Sequence, residues 1–120
     1  MPSRERVDEF IAAVEAGDHV GAIARYYTED ASMQENSAEP RVGRDVLMAH
    51  ERDVLSRMQE VLSKAHGSVV EGDRVAIHWV FELIDLTGRV HRVDEIAMQE
   101  WRGDRIWRER FFYDPSRPLL

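Results

Sequence analysis

Residues 72–88 read Gly-Asp-Arg-Val-Ala-Ile-His-Trp-Val-Phe-Glu-Leu-Ile-Asp-Leu-Thr-Gly, a run of strand-forming residues held between the turn dipeptides Gly72-Asp73 and Thr87-Gly88. Branched and aromatic side chains dominate the run, as a pleated, half-buried surface requires. The same punctuation returns at Gly103-Asp104. Four strands follow from it, roughly 60–70, 74–86, 89–101 and 106–114, joined as a meander of hairpins. Upstream, the apolar period lengthens to that of a helix. Val7, Phe10, Ile11 and Val14 share one helical face, with Ser3 placed to cap its start and Gly17 to end it. Asp18 is placed to cap a second short helix whose stripe is Val20, Ile23, Ala24 and Tyr27, stopped by the polar run Thr28 to Asp30. Residues 31–36 read as a short strand and 36–43 as a loop. A third helix starts near Arg44, with Val46, Leu47, His50, Val54, Leu55 and Met58 on its inner face. Helices first and an antiparallel sheet second argue an α+β fold in a single domain, 1–120, with the helices on one face of the sheet.

Strand register assigns the faces. A two-residue turn at Thr87-Gly88 sets His78 opposite Ala97 and Val80 opposite Glu95. A three-residue loop at Gly103 to Arg105 sets Trp101 opposite Trp107, Gln99 opposite Glu109, Ala97 opposite Phe111 and Glu95 opposite Tyr113. One face then holds His78, Val80, Glu95, Ala97, Gln99, Trp101, Trp107, Glu109, Phe111 and Tyr113. The other holds Ile77, Trp79, Phe81, Ile96, Met98 and Phe112 among charged residues. Both faces are rich in large apolar side chains, so one is expected to pack on the helices and the other to meet a second copy in a homodimer.

Composition narrows the partners. The chain has 120 residues and a formal charge of -7, with 16 Lys and Arg against 23 Asp and Glu. That balance repels a phosphate backbone, so no nucleic acid is expected. No apolar run reaches the roughly 20 residues of a membrane span, and the charged N-terminus lacks the apolar core of a signal peptide, so no membrane is expected and a cytoplasmic location is. There is no cysteine, hence neither disulfide nor thiolate chemistry. No two histidines stand at the spacing of a metal pair, and no Gly-rich phosphate loop or Gly-x-Ser-x-Gly motif is present. Neither metal nor cofactor is expected.

Several fragments carry a resemblance in order and spacing: Ala16-Gly17-Asp18, Tyr27-Thr28-Glu29-Asp30-Ala31, Val42-Gly43-Arg44-Asp45, Trp101-Arg102-Gly103-Asp104-Arg105-Ile106 and Phe111-Phe112-Tyr113-Asp114. With them the whole chain resembles the nuclear transport factor two-like superfamily, particularly the SnoaL-like polyketide cyclases. Ketosteroid isomerases and limonene epoxide hydrolases are more distant relatives. The resemblance implies a cone-shaped, cystatin-like α+β roll: a curved antiparallel or mixed sheet with three N-terminal helices on its concave face, closing over a pocket for a small hydrophobic ligand. It places Glu35 at the general-base position of ketosteroid isomerase-like sequences. The tyrosine and aspartate of their oxyanion site fall at Phe10 and Ala97, so that site is not carried over. The arginine and aspartate of epoxide hydrolase-like sequences fall at His78 and Val80, and their second aspartate at Phe111.

The candidate chemistry follows. Glu35 is the expected base, His78 the second proton carrier, and Glu109 and Glu95 acids whose shared cavity pushes their pKa values apart. Met33, His50, Val54, Val80, Ala97, Phe111 and Tyr113 are expected to shape the binding wall. The expected activity is cofactor-free isomerisation, cyclisation or dehydration of a hydrophobic carbonyl-containing metabolite by proton transfer. The alternative is a non-catalytic ligand-binding or dimerisation module of the same fold, for which the exchanged oxyanion positions Phe10 and Ala97 speak.

Overall fold

The computed structural model describes residues 1–116. Three helices precede the meander: α1 (Arg4–Glu15), α2 (His19–Tyr26) and α3 (Arg44–Ser56). Ser3 caps α1 by accepting a hydrogen bond from the Arg6 amide at 3.0 Å, and Gly17 ends it at φ 89°. Asp18 stands at the head of α2 but makes no side-chain cap; it pairs with Arg25 at 2.9 Å instead. The buried positions of α2 are Ala22, Ile23 and Tyr26, and Tyr27 begins the next strand instead of ending the helix.

The strands are β1 (Tyr27–Glu35), β2 (Arg41–Val42), β3 (Met58–Glu71), β4 (Arg74–Asp85), β5 (Val90–Arg102) and β6 (Arg105–Phe112). They form one mixed sheet in the order β2-β1-β6-β5-β4-β3, antiparallel throughout except for the β1/β6 pair. The parallel pair brings the end of β1 beside the end of β6, with Glu35 opposite Phe111. Gly43, at φ 105°, turns the chain into α3 while its amide bonds the Ala31 carbonyl at 2.8 Å. The chief core joins Val7, Phe10 and Val14 of α1, Ile23 and Tyr26 of α2 and Leu47 of α3 to Ile77, Trp79, Trp101 and Ile106 of the sheet. Helices therefore cover the concave face, as expected.

Two departures in register decide what that face contains. The β4/β5 hairpin has a three-residue loop, Leu86 to Gly88, not a two-residue turn. The Asp85 carboxylate builds it, accepting from the amides of Thr87 at 2.9 Å and Arg89 at 3.1 Å, and Gly88 closes it at φ 87°. One extra loop residue slides the pairing, so Ile77 faces Ala97, Trp79 faces Glu95 and Phe81 faces Val93. Ile77, Trp79 and Phe81 thus belong to the concave face, while His78 and Val80 turn to the convex one. In the β5/β6 hairpin Arg102 pairs with Arg105 across a two-residue turn, and a bulge at Trp107 then restores the phase. Gln99 opposite Glu109 and Ala97 opposite Phe111 hold as expected; Trp101 meets Ile106 instead of Trp107. Trp107 lies between the guanidinium groups of Arg102 and Arg108, each 3.9 Å from its ring centre.

Candidate active site

Between α1, α2, α3 and the concave face lies a cavity of about 210 Å³. Roughly 150 Å³ suffices for a benzene ring, so the space suits a small organic ligand. Its walls are largely apolar, with Phe10, Met33, Val54, Trp79, Phe81 and Phe111 among them. Four carboxyls enter this setting: Glu35 from β1, Glu51 from α3, Glu95 from β5 and Glu109 from β6.

Each carboxyl has a different environment. Glu35 forms an ion pair with Arg41 at 3.0 Å and accepts the Tyr113 hydroxyl at 3.3 Å. Glu109 is 4% exposed. It accepts the Tyr27 hydroxyl on one oxygen and the Gln99 amide on the other, the latter at 2.6 Å, and Gln99 in turn takes the Trp101 indole N–H at 2.9 Å. Burial pushes Glu109 up to about 7, against the lowering effect of those hydrogen bonds from Gln99 and Tyr27. The Tyr27 phenol is itself raised, by burial and then by the neighbouring Glu109 charge.

Glu95 is the exception. It is 4% exposed, and its Oε2 has no hydrogen-bond partner among the described residues. Burial pushes it up to about 8, and the charges of Glu109, Glu35 and Glu51 add to the rise. At neutral pH it carries its proton, becoming a donor aimed into an apolar cavity. Glu51, half-buried, is raised by burial and by Glu35. The imidazoles of His19 and His50, both in the lining, are lowered chiefly by burial, with Arg41 adding to the effect at His50.

The expected site residues divide accordingly. Glu35, Glu95 and Glu109 come together in the cavity with Met33, His50, Val54 and Phe111. Ala97 is fully buried on the concave face beneath the cavity, outside its lining. Tyr113 reaches the site only through its bond to Glu35. His78 and Val80 are not in it. His78 bonds Asp94 at 2.7 Å on the convex face, its ring 5.4 Å from that of His66, and Val80 is buried on that side between Lys64 and Asp94. The three-residue loop at Leu86 to Gly88 is the cause.

Glu51, Trp79, Tyr27, Arg41 and His19 were not anticipated in the site. Glu51 had a signal, since Leu47, Glu51 and Val54 follow the i, i+4, i+7 spacing of one helical face. Among the described residues no group of three or more His, Asp and Glu side chains is arranged to hold a metal ion, and no helix is long and apolar enough to cross a membrane.

Solved structures of this architecture are numerous and distant in sequence. A protein of ketosteroid isomerase-like fold from Catenulispora acidiphila, crystallised with trimethylamine, superposes with a TM-score of 0.80 at 18% identity, covering 98% of this chain and 91% of that one. A protein described as a SnoaL-like polyketide cyclase from Jannaschia sp. CCS1 gives 0.78 at 12% identity, covering 95% and 89%. An uncharacterised cystatin-fold protein from Novosphingobium aromaticivorans gives 0.78 at 22%, covering 93% and 98%. Among curated proteins none matches. The sequence pattern of the SnoaL-like domain matches residues 7–109. On that match, and with helices and sheet disposed as described, the chain belongs to the SnoaL-like domain family.

Proposed function

We propose that the chain is a cofactor-free enzyme that moves a proton on a small, largely apolar carbonyl compound, in an isomerisation, ring closure or dehydration. One observation carries the reading: Glu95 is a buried carboxyl whose Oε2 has no hydrogen-bond partner among the described residues, and it shares a largely apolar cavity with Glu35. An unsatisfied buried donor is expensive unless a ligand completes it. A carbonyl oxygen in the cavity would accept from Glu95, which stabilises the enolate as charge moves onto that oxygen. Glu35, oriented by Arg41 and Tyr113, would take the proton from the adjacent carbon. Glu95 thereby replaces His78 as the second acid–base group. Glu109, saturated by Tyr27 and Gln99, would hold the floor of the site and keep Glu95 neutral by its proximity.

The test is washout of α-deuterium into water from a panel of neutral bicyclic ketones such as 2-tetralone, followed by proton NMR. Glu35→Gln is expected to abolish washout while ligand affinity stays within about tenfold, or 1.4 kcal/mol. Unchanged washout removes Glu35 from the mechanism. The second reading, a non-catalytic ligand-binding module, is favoured by the apolar pair Phe10 and Ala97, both buried at positions where isomerase-like relatives would hold an oxyanion. It predicts saturable binding of such ketones without washout by the wild-type chain. A second copy on the convex face, where Ile96 and Phe112 are 40% and 41% exposed, is part of the same proposal.

A further inference from the structure

The four cavity carboxyls are not equally provided for. Glu35 has Arg41, and Glu109 has Tyr27 and Gln99. Glu51 and Glu95 have no hydrogen bond or ion pair among the described residues. Arg41 is the one Lys or Arg among the described lining residues, and it is already engaged. The two lining imidazoles are held toward their neutral form. The cavity therefore has an excess of acid over base, and one of its two most buried acids has no hydrogen-bond or ion-pair partner among the described residues.

Aromatic rings make up much of the remaining wall: Phe10, Tyr27, Trp79, Phe81 and Phe111. Carboxylates and π faces together favour a positive charge more than either does alone, because desolvation strengthens both attractions. A divalent metal is the poorer fit, since it needs several converging ligands and no such group is arranged among the described residues. An organic ammonium needs one or two carboxyls and a ring.

We propose that the cavity takes a ligand with a protonated amine on an apolar body, its ammonium facing Glu51 and Glu95 against the aromatic wall. Glu51 supplies the countercharge. Glu95, while neutral, accepts from the ammonium through one oxygen and keeps its O–H for a second group of the ligand. This rests on the reading that the cavity is the substrate site, and it narrows the substrate class from carbonyl compounds in general to amine-bearing ones.

The experiment is calorimetric titration of the chain at pH 7.5 with 1-naphthylmethylamine and with 1-naphthylmethanol, which match in shape and differ in charge. The amine is expected to bind at least tenfold more tightly. Glu51→Gln, which removes the countercharge, and Glu95→Leu, which removes the acceptor, each verified as folded by thermal unfolding, are each expected to cut that preference severalfold. Attraction to the formal net charge of -7 would largely survive either substitution, so the variants separate it from a built site. Equal binding of the alcohol, a preference that persists in both variants, or binding of neither probe to the folded chain overturns the proposal. Washout from neutral ketones without an amine preference defeats the charge assignment alone. An amine preference without washout from any ketone defeats the catalytic reading alone.

Discussion

Trp79 stands directly opposite Glu95 across β4 and β5, so the buried carboxyl left without a hydrogen-bond partner for its Oε2 among the described residues has an indole for its cross-strand neighbour. That pairing removes water from one side of Glu95, and the helices remove it from the other. Its ionised form is penalised on both sides, and the consequence can be measured in stability.

Because the folded chain raises Glu95 to about 8, it binds a proton that the unfolded chain releases near the ordinary carboxylate range. Between those values the native state holds more protons than the unfolded one, so the Glu95 contribution weakens stability as pH rises from about 4.5 to 8. Glu95→Gln removes the penalty. Thermal unfolding is expected to show little change at pH 5 and a gain on the order of a few kcal/mol at pH 8.5. A variant equally shifted at both pH values would show that Glu95 is not held neutral.

Tyr27→Phe deletes the hydroxyl bonded to Glu109 and leaves the ring in place. Loss of a buried bond to a charged or chargeable group destabilises by roughly 1.5–3 kcal/mol. The same change removes one of the two bonds that lower Glu109, so its titration is expected to move above about 7. Carbon-13 NMR of labelled glutamate side chains reads that movement. A fall in the Glu109 value would contradict the assigned hydrogen bond.

His78→Ala tests the register. His78 and Asp94 form a partly exposed pair on the convex face, the kind whose removal costs about 0.2–1 kcal/mol. Binding of a cavity ligand is expected to be unchanged within twofold. By contrast Trp79→Ala, one residue along and 2% exposed, is expected to destabilise by about 3–5 kcal/mol and to weaken ligand binding as well. Isothermal titration of both variants with one naphthyl probe decides between the faces.

Pairing of two copies through the convex face is checked by sedimentation equilibrium. Ile96→Lys is expected to shift the chain toward monomer without altering cavity binding, because Ile96 alternates with the inward-facing Glu95 and Ala97. An unchanged sedimentation mass would move the contact elsewhere.

The architecture was legible in the sequence because it rests on long periodic runs and glycine punctuation, which tolerate errors of a residue or two. A side chain's face does not tolerate them. Asp85-Leu86-Thr87-Gly88 does carry the mark of a three-residue loop: an aspartate that accepts from the next amides, and a glycine in the left-handed position at φ 87°. Taking Thr87-Gly88 alone as the turn misplaced His78 and Val80 while leaving Glu95 and Ala97 correct, since β5 and β6 keep their own alternation. Tyr27 was misplaced for another reason. It fits the stripe of α2 by spacing, yet the strand-forming neighbourhood beyond Asp30 extends back to include it.

In the β5/β6 hairpin the single-residue slip is corrected within the strand itself. The bulge at Trp107 puts Trp107 and Arg108 together on the outside, so that Glu109 and Phe111 return inward while Arg108 and Arg110 stay out. Were the strand to run straight on from the Trp101–Ile106 pair without that bulge, Gln99 would meet Arg108 and Ala97 would meet Arg110, sending two guanidinium groups inward and expelling the acid. The polarity of the chamber, and with it the sign of whatever guest it admits, is thus set by one unpaired residue some distance along the strand. A frame change of this kind would convert an acid-lined vessel into a base-lined one without altering its outline.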